Sequence, residues 1–269
     1  MMARSLFQIL PVRVQASLYR RFICPHRQNF GRWFEDAPLK WAPSVRMKLS
    51  PGDSFHGDIA FCGIYEAEET ALIHQLAVEK GGLLVDVGAN YGYYSLLWCA
   101  AREGNRALAI EASPANVQAL RENIVRNGMD GRIQVLECAA SNREGLVRFE
   151  IGSDDETGWG GIASNGAAAT LEVSSCRLDE VVREPVALLK VDCEGADAWV
   201  IEGAQGLLQK NWMANVVFEE NLWRQERLGI VAGSAARRLS EAGFVVRPLG
   251  NGEVNFVASK QDSAATVTR

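Results

Sequence analysis

Short apolar runs alternate with stretches of helical spacing along most of the chain. Leu83 to Val87, Ala107 to Glu111, Ile133 to Glu137, Val186 to Asp192 and Val216 to Glu219 read as buried strands. Between them lie predicted helices. The one from Tyr93 to Ala101 is apolar nearly all round, so it is buried. Ser113-Pro114 supplies an N-cap and a first-turn proline for a helix carrying Val117, Leu120 and Ile124, which ends at Asn127-Gly128. Further helices are predicted over Tyr65 to Lys80, about Asp197 to Lys210, and Ser234 to Ala242. Leu146 to Glu150 and Thr170 to Ser174 read as short strands flanking a glycine-rich loop, and Phe244 to Arg247 with Val254 to Ala258 as a closing hairpin. Strand-helix alternation of this kind implies a mostly parallel sheet with helices on both faces, and the hairpin adds an antiparallel strand. The fold class expected is α/β: a seven-stranded Rossmann-like sheet preceded by a basic N-terminal helical and hairpin extension.

The extension, residues 1-60, has a different texture from the domain expected over 61-259. Phe7, Leu10, Val14, Leu18 and Phe22 fall near helical spacing with arginines between them, interrupted by Pro11. A helix that packs on its own core or on a second subunit is favoured over a membrane-surface helix, because the apolar face is short. Residues 24 to 44 mix three prolines with Phe30, Trp33, Phe34 and Trp41, which suits an irregular but ordered cover. Val45 to Leu49 reads as a strand, Ser50-Pro51-Gly52-Asp53 as a turn, and Ile59 to Phe61 as a second short strand. Residues 260-269 are small and polar and read as a flexible tail.

Charge sharpens this division. The net charge is -5, yet residues 1 to 50 hold nine Lys/Arg against two acids, about +7, which leaves about -12 on the remainder. An acidic main domain gives no case for nucleic acid as a partner. The six cysteines, at 24, 62, 99, 138, 176 and 193, form no C-x-x-C pair and read as reduced and structural, hence a cytoplasmic protein. No apolar run is long enough to span a membrane.

The chemistry concentrates at strand ends. Asp86-Val87-Gly88-Ala89-Asn90-Tyr91-Gly92 follows the first parallel strand. A dinucleotide site requires three glycines at pyrophosphate spacing there, and this segment lacks them. Asp86 would oppose a pyrophosphate but suits the amino group and sulfonium of S-adenosylmethionine. Glu111 ends the second strand, where a carboxylate can accept both ribose hydroxyls, each charge-assisted bond being worth about 1.5–3 kcal/mol. Cys138 and Ala139 follow the third strand and suit an adenine face. Leu188 to Gly195 is the second strong element: Lys190 and Asp192 share a strand face, Lys190 as a buried partner for Asp192, with Asp192 and Glu194 flanking the methyl group and its acceptor.

Taken together, Asp86 to Gly92, Ile110-Glu111-Ala112-Ser113-Pro114 with Asn123 and Asn127-Gly128, and Leu189 to Ala196 with Gly203-Ala204 resemble the FkbM family of methyltransferases. Gly63-Ile64-Tyr65-Glu66 resembles that family's entry helix, and the likeness covers roughly residues 57 to 220. Cys193 stands where the family usually has a branched aliphatic residue, and Asp197 where it has Glu. The resemblance implies S-adenosylmethionine as cofactor, with Asp86, Gly88, Asn90, Glu111 and Asp192 lining it and Tyr65 and Glu66 closing over it. It also implies methylation of a hydroxyl on a sugar, glycan, glycolipid or secondary metabolite.

A hydroxyl is a poor nucleophile, so a general base is useful; the candidates are Glu194, Asp192 and Glu219, in that order. His26, His56 and His74 lie outside the core motifs; His56 can approach the site from the N-terminal hairpin, but a surface position is favoured for it. Asp192 with Glu219, Glu220 and Asn221 can in principle hold a divalent ion through oxygen, but no metal is assigned. Trp159, within the glycine-rich segment Ser153 to Gly166, suits either a lid that stacks on a sugar ring or a surface insertion. The rival functions are N-methylation of a peptide or metabolite amine by the same fold, and a non-catalytic interaction protein that binds partners, a second copy of the chain included. The chain has no Asn/Asp-Pro-Pro-Tyr/Phe motif, which argues against methylation of a base amine.

Overall fold

The chain opens with helical turns rather than sheet. The computed structural model describes residues 9–153, 157–164, 167, 170–250 and 254–260. A helix over Val12–Leu18 starts directly after Pro11, widens into a π-helical turn at Tyr19–Ile23 and continues as 3-10 turns through Cys24–Phe30 to a helix at Gly31–Glu35. The expected apolar stripe does not face the core as a unit. Tyr19 is buried and stacks on Phe61 with ring centroids 5.1 Å apart, whereas Val14 and Phe22 face solvent. Phe7 lies outside the described residues, as do Asp154 to Glu156, Gly166 and positions 261–269 of the tail.

Strands β1 (Ala37–Pro38) and β2 (Arg46–Met47) form a two-residue antiparallel hairpin. The strand expected over Val45 to Leu49 is thus shorter, and the strand expected at Ile59 to Phe61 is a helix, Ser54–Cys62. Asp53 decides the latter point. Its carboxylate caps the helix by accepting the N–H groups of Phe55 and His56, and Gly63 closes the other end at φ 71. A short apolar run has no period of its own to set against such a cap.

The main sheet has the order β12-β13-β11-β10-β3-β4-β5. Its members are β3 (Leu83–Val87), β4 (Arg106–Glu111), β5 (Ile133–Glu137), β10 (Leu188–Val191), β11 (Asn215–Glu219), β12 (Phe244–Pro248) and β13 (Asn255–Lys260). The strands from β11 to β5 run parallel, while β13 lies antiparallel between β11 and β12. Both halves of the expected hairpin therefore join the sheet. A second, four-stranded sheet, ordered β6-β9-β7-β8, comprises β6 (Ala139–Ala140), β7 (Gly145–Glu150), β8 (Gly161–Ile162) and β9 (Thr170–Cys176). It contains the two short strands expected there, paired antiparallel.

The long helix expected over Asp197 to Lys210 is two, Asp197–Glu202 and Gln205–Gln209. A Cβ at Gly203 would overlap the carbonyl oxygen of Ser141, so the chain passes too close there for a continuous helical surface. Asp179 then caps the second helix through the N–H groups of Gly206 and Leu207, both 2.9 Å away. A further helix, Leu222–Leu228, follows β11 where none is expected from the sequence; Asn221 caps it.

Strand alternation sends side chains to two cores. Val85, Val87, Leu189 and Val191 pack against Val200, Leu207 and Leu239. Leu84 and Leu188 pack on the other side with Trp98 and Ile73, and in the same cluster sit Tyr19, Phe34, Leu39 and Phe61. The N-terminal segment is therefore part of the main core rather than a detached arm.

A polar device holds that segment in place. Asn123 and Asn127, one turn apart on the helix Pro114–Arg126, bind backbone as a neighbouring strand would. Asn123 accepts the Lys48 N–H (2.7 Å) and donates to the Lys48 carbonyl (3.1 Å); Asn127 accepts the Arg46 N–H (2.8 Å) and donates to the Arg46 carbonyl (2.9 Å). Asn123 also donates to the Tyr91 carbonyl (3.1 Å), so it ties the cover to the loop after β3. Replacing Asn123 by Ala strands these buried groups, and urea unfolding is expected to show a loss of about 1–3 kcal/mol. An unchanged unfolding midpoint would contradict this account of the clamp.

Candidate active site

The carboxyl ends of β3, β4, β10 and β11 open into a cavity of about 300 Å³. This is where an open α/β sheet places a ligand. The sequence-selected residues Tyr65, Glu66, Gly88, Asn90, Glu111, Cys138, Ala139, Asp192, Glu194 and Glu219 all line it. Asp86 does not. Its side chain sits beneath the wall, 1% exposed, with one carboxylate oxygen accepting the Ser95 hydroxyl at 2.7 Å and the other without a hydrogen bond.

The loop after β3 gains its shape from close backbone approach. Gly88 adopts φ 78, and a Cβ there would overlap the carbonyl oxygen of Asp192. The next turn places Asn90 at φ 49 so that its N–H donates to Glu111 Oε2 at 2.8 Å, while the Ser113 N–H donates to Oε1 at 2.8 Å. Burial raises the Glu111 carboxyl, and these backbone donors pull it back down. Each oxygen keeps a lone pair for a further donor, which fits a vicinal diol. Beside it, Ala112, Cys138, Ala139, Phe149 and Ile162 supply an apolar wall.

The other part of the cavity is dominated by acid. Lys190, 2% exposed, binds Asp192 at 3.0 Å and lies 4.8 Å from the Tyr94 ring centroid. Across the β3–β10 register it stands beside Asp86. Burial works against its charge, but Asp192, Glu69, Asp86 and Glu66 outweigh burial and hold it protonated. The Tyr94 hydroxyl donates to Glu66 at 3.0 Å. Burial and neighbouring charge raise the Glu66 carboxyl and push Glu69 up to about 8. One oxygen of Glu69, 6% exposed, has no hydrogen-bond partner.

Asp192, Glu194 and Glu219 come together with carboxylate oxygens within 4.8 Å of one another. Their surroundings differ. Glu194 accepts from the Asn221 amide at 3.2 Å and lies 3.8 Å from Arg224, both of which favour its anion. Asp192 has Lys190. Burial, then Asp192, Asp197, Glu194 and Glu66, pushes the Glu219 carboxyl up to about 9.

Backbone strain marks the same region. Among the described residues, four that are not glycine have positive φ: Glu66, Asn90, Glu194 and Asn211. The first three line the cavity. Such conformations cost of order 1–3 kcal/mol each and collect at functional sites.

Several lining groups are not apparent from the sequence. His56, expected at the surface, is instead buried at the wall, 4.3 Å from the Tyr91 ring. Its Nδ1 accepts the Ser50 N–H at 3.3 Å, which leaves Nε2–H to face Asn90 Oδ1 at 3.4 Å, and burial lowers its basicity. The available signal is Asp53, an N-cap residue three positions upstream, whose helix turns His56 inward. Asp53 also holds a more distant segment, because its other oxygen accepts the N–H (2.8 Å) and hydroxyl (2.7 Å) of Thr157. Asn116 donates to the Thr157 carbonyl (3.1 Å), and Arg224 to the Trp159 carbonyl (2.7 Å). The turn Thr157–Trp159 is thereby pinned across the cavity as a lid.

Size, a diol acceptor, an apolar wall and surplus negative charge match the ribose, the base and the cationic groups of S-adenosylmethionine. Among the described residues no helix is long and apolar enough to cross a membrane.

The chain is similar to several known proteins. The chain is 27% identical over 168 residues to the 31-O-demethyl-FK506 methyltransferase FkbM of Streptomyces tacrolimicus; the match covers 50% of this chain and 64% of that relative. It therefore spans just under two thirds of the relative's length. Among solved structures, the methyltransferase FkbM of Methylobacillus flagellatus KT has a TM-score of 0.47 at 13% identity, covering 90% of this chain and 60% of its own. A putative caffeoyl-CoA O-methyltransferase from Staphylococcus aureus has a TM-score of 0.49 at 11% identity, covering 93% and 98%. The family model described as the methyltransferase FkbM domain matches residues 86–246, more than half of the chain. The chain belongs to the FkbM family of S-adenosylmethionine-dependent methyltransferases.

Proposed function

We propose that the protein transfers a methyl group from S-adenosylmethionine to a hydroxyl oxygen of a sugar, glycan, glycolipid or secondary metabolite. The observation that carries this reading is the group Asp192, Glu194 and Glu219, which sets a carboxyl of raised proton affinity beside two acids already engaged by Lys190, Asn221 and Arg224. When bound, the cofactor supplies an electrophilic methyl on a sulfonium. The name of the Streptomyces tacrolimicus relative places its own methylation on oxygen, which supports the same choice here.

Each part of the cavity then contributes separately. Glu111 receives the ribose diol, and Ala112, Cys138, Ala139, Phe149 and Ile162 enclose the base. Gly88 and Asn90 shape the backbone beside them. Glu66, under Tyr65, and Asp192 face the cofactor's positive groups, with Asp86 behind the wall holding Lys190 in register. Strands β4 and β11 are three strand spacings apart, so Glu111 and Glu219 stand about 14 Å apart across the sheet. That distance suits a ligand with a nucleoside at one end and a reacting centre at the other.

Glu219 replaces Glu194 as the preferred base. Asn221 and Arg224 engage the Glu194 carboxylate, and Lys190 engages that of Asp192. Burial, and then the acids around it, raises the proton affinity of Glu219. Positive charge on the bound cofactor favours its anion, which then accepts the hydroxyl proton as the acceptor oxygen approaches the methyl. Trp159, in the lid, and Trp223, just beyond Asn221, stay exposed on either side of Arg224, whose guanidinium lies 5.9 and 5.7 Å from their ring centroids. They offer flat surfaces to the acceptor.

The acid surplus gives weight to one alternative, a protonated amine as acceptor. Transfer of labelled methyl to panels of hydroxylated glycans and metabolites against matched amines separates the two. Product methylated on oxygen supports the proposal, and product on nitrogen alone refutes it.

Glu219→Gln is expected to lower kcat by about 10²–10⁴-fold while leaving cofactor affinity within a few-fold, as measured by calorimetry. Full turnover in this variant would reject Glu219 as base. Because the Glu219 carboxyl is raised, wild-type kcat is expected to climb with pH through the neutral range as the anion forms, and to level by about pH 9. A rate that is flat from pH 6 to 9 would count against the assignment.

A further inference from the structure

The Sγ atoms of Cys138 and Cys176 lie 2.7 Å apart although 38 residues separate them in sequence. Both are free thiols. Their separation is far closer to the ~2.05 Å of a sulfur–sulfur bond than packing requires. No other pair among the described cysteines makes a sulfur–sulfur contact of this kind.

The pair occupies a joint between the two sheets. Cys138 follows β5, its side chain is buried, and its N–H donates to the Glu111 carbonyl at 3.1 Å. Cys176 ends β9, is half-buried, and pairs in register with Ala140 of β6; its carbonyl accepts the Ser141 N–H at 2.9 Å. From β9 the small sheet continues through β7 to β8, and the lid turn Thr157–Trp159 hangs between β7 and β8. The strands that bear the lid turn therefore join the end of β5 close to these two sulfurs, while Asp53, Asn116 and Arg224 hold the turn itself.

We propose that Cys138 and Cys176 form a reversible dithiol–disulfide pair that, when oxidised, locks the lid-bearing small sheet to the end of β5 beside the cavity. The two thiols are unequal in a way that suits this. The contact with Cys138 favours the Cys176 thiolate, and Cys176 is the more accessible of the two. With a peroxide as oxidant, the Cys176 thiolate attacks one peroxide oxygen, the O–O bond breaks and one water leaves, giving a sulfenic acid. The Cys138 sulfur then displaces the second oxygen as water, and the sulfur–sulfur bond forms. Two thiols and one hydrogen peroxide yield one disulfide and two waters. A dithiol reductant reverses the change by exchange.

The crosslink stands independently of the methyl-transfer reading; only its effect on turnover rests on that reading. The test uses the full chain treated with dilute hydrogen peroxide, alkylated, digested without reduction and analysed by mass spectrometry. The expected result is one linked peptide containing Cys138 and Cys176, lighter by two hydrogen atoms than its reduced parts and lost on adding dithiothreitol. The oxidised protein is expected to melt about 5 °C higher, because the bond closes a long loop in the unfolded chain. Hydrogen exchange at 157–162 is expected to slow. Cys176→Ser should abolish the linked peptide and both shifts, while the reduced variant melts and binds cofactor as the reduced wild type does. Alkylation of both cysteines after peroxide treatment would overturn the proposal. A linked peptide with unchanged exchange at 157–162 would overturn the lock.

Discussion

The structure depends on how one buried lysine is shared among the acids around it. Parallel pairing of β3 and β10 sets Lys190 beside Asp86, and the same strand carries Asp192 to the cavity 3.0 Å from the ammonium group. Glu66 and Glu69 add two more carboxyls around the same charge. A single cation cannot neutralise four acids in a medium where unpaired charge is costly. The excess is met in part by a raised proton affinity of the carboxyls, which favours their neutral form, and in part by donors such as Tyr94 and Ser95. A cavity built in this way is incomplete until something positive enters it. S-adenosylmethionine, with its amino and sulfonium groups, supplies that charge at the strand ends where the sheet can grip it.

The remaining elements fix the walls around this arrangement. The asparagine pair at the end of the helix Pro114–Arg126 anchors β2, and β2 with the segment after it brings Met47, Asp53 and His56 to the cavity wall. Asp53 links two levels of organisation. One oxygen starts a helix and the other holds the lid turn at Thr157, so local capping and closure of the site share one carboxylate. Arg224 acts in a similar way from the opposite flank, reaching Glu150, Glu194 and the Trp159 carbonyl. The N-terminal segment thus works as part of the site, which its basic composition does not suggest.

What is legible in the sequence follows from where periodicity is strong. The parallel strands and the helix Tyr93–Ala101 are readable because buried runs bounded by caps have few alternatives. Glu111 and the Asp192–Glu194 pair are readable because they end such runs. Ile59 to Phe61 reads wrongly as a strand since a short apolar run has no period, and its outcome turns on the Asp53 cap several residues upstream. The division of the helix after Asp197 depends on a close pass between Gly203 and Ser141, a tertiary contact invisible to local pattern. Asp86 shows the finer limit. Its strand face is predictable, but whether that face opens to a ligand or to Lys190 depends on packing from other elements. The order of Glu194 and Glu219 as base is hidden for a related reason, because basicity depends on partners such as Asn221 and Arg224 that only the fold brings together.

The central claim is that the cavity holds more acid than its own cations balance until its ligand arrives. Calorimetric titration with S-adenosylmethionine at pH 7, repeated in buffers of different ionisation enthalpy, tests it most directly. Glu219 and Glu69, pushed up to about 9 and about 8 without ligand, must give up protons when a cation binds beside them. The account predicts a net release of protons, seen as a binding heat that changes with the buffer. Equal heats in both buffers, with binding intact, would contradict it.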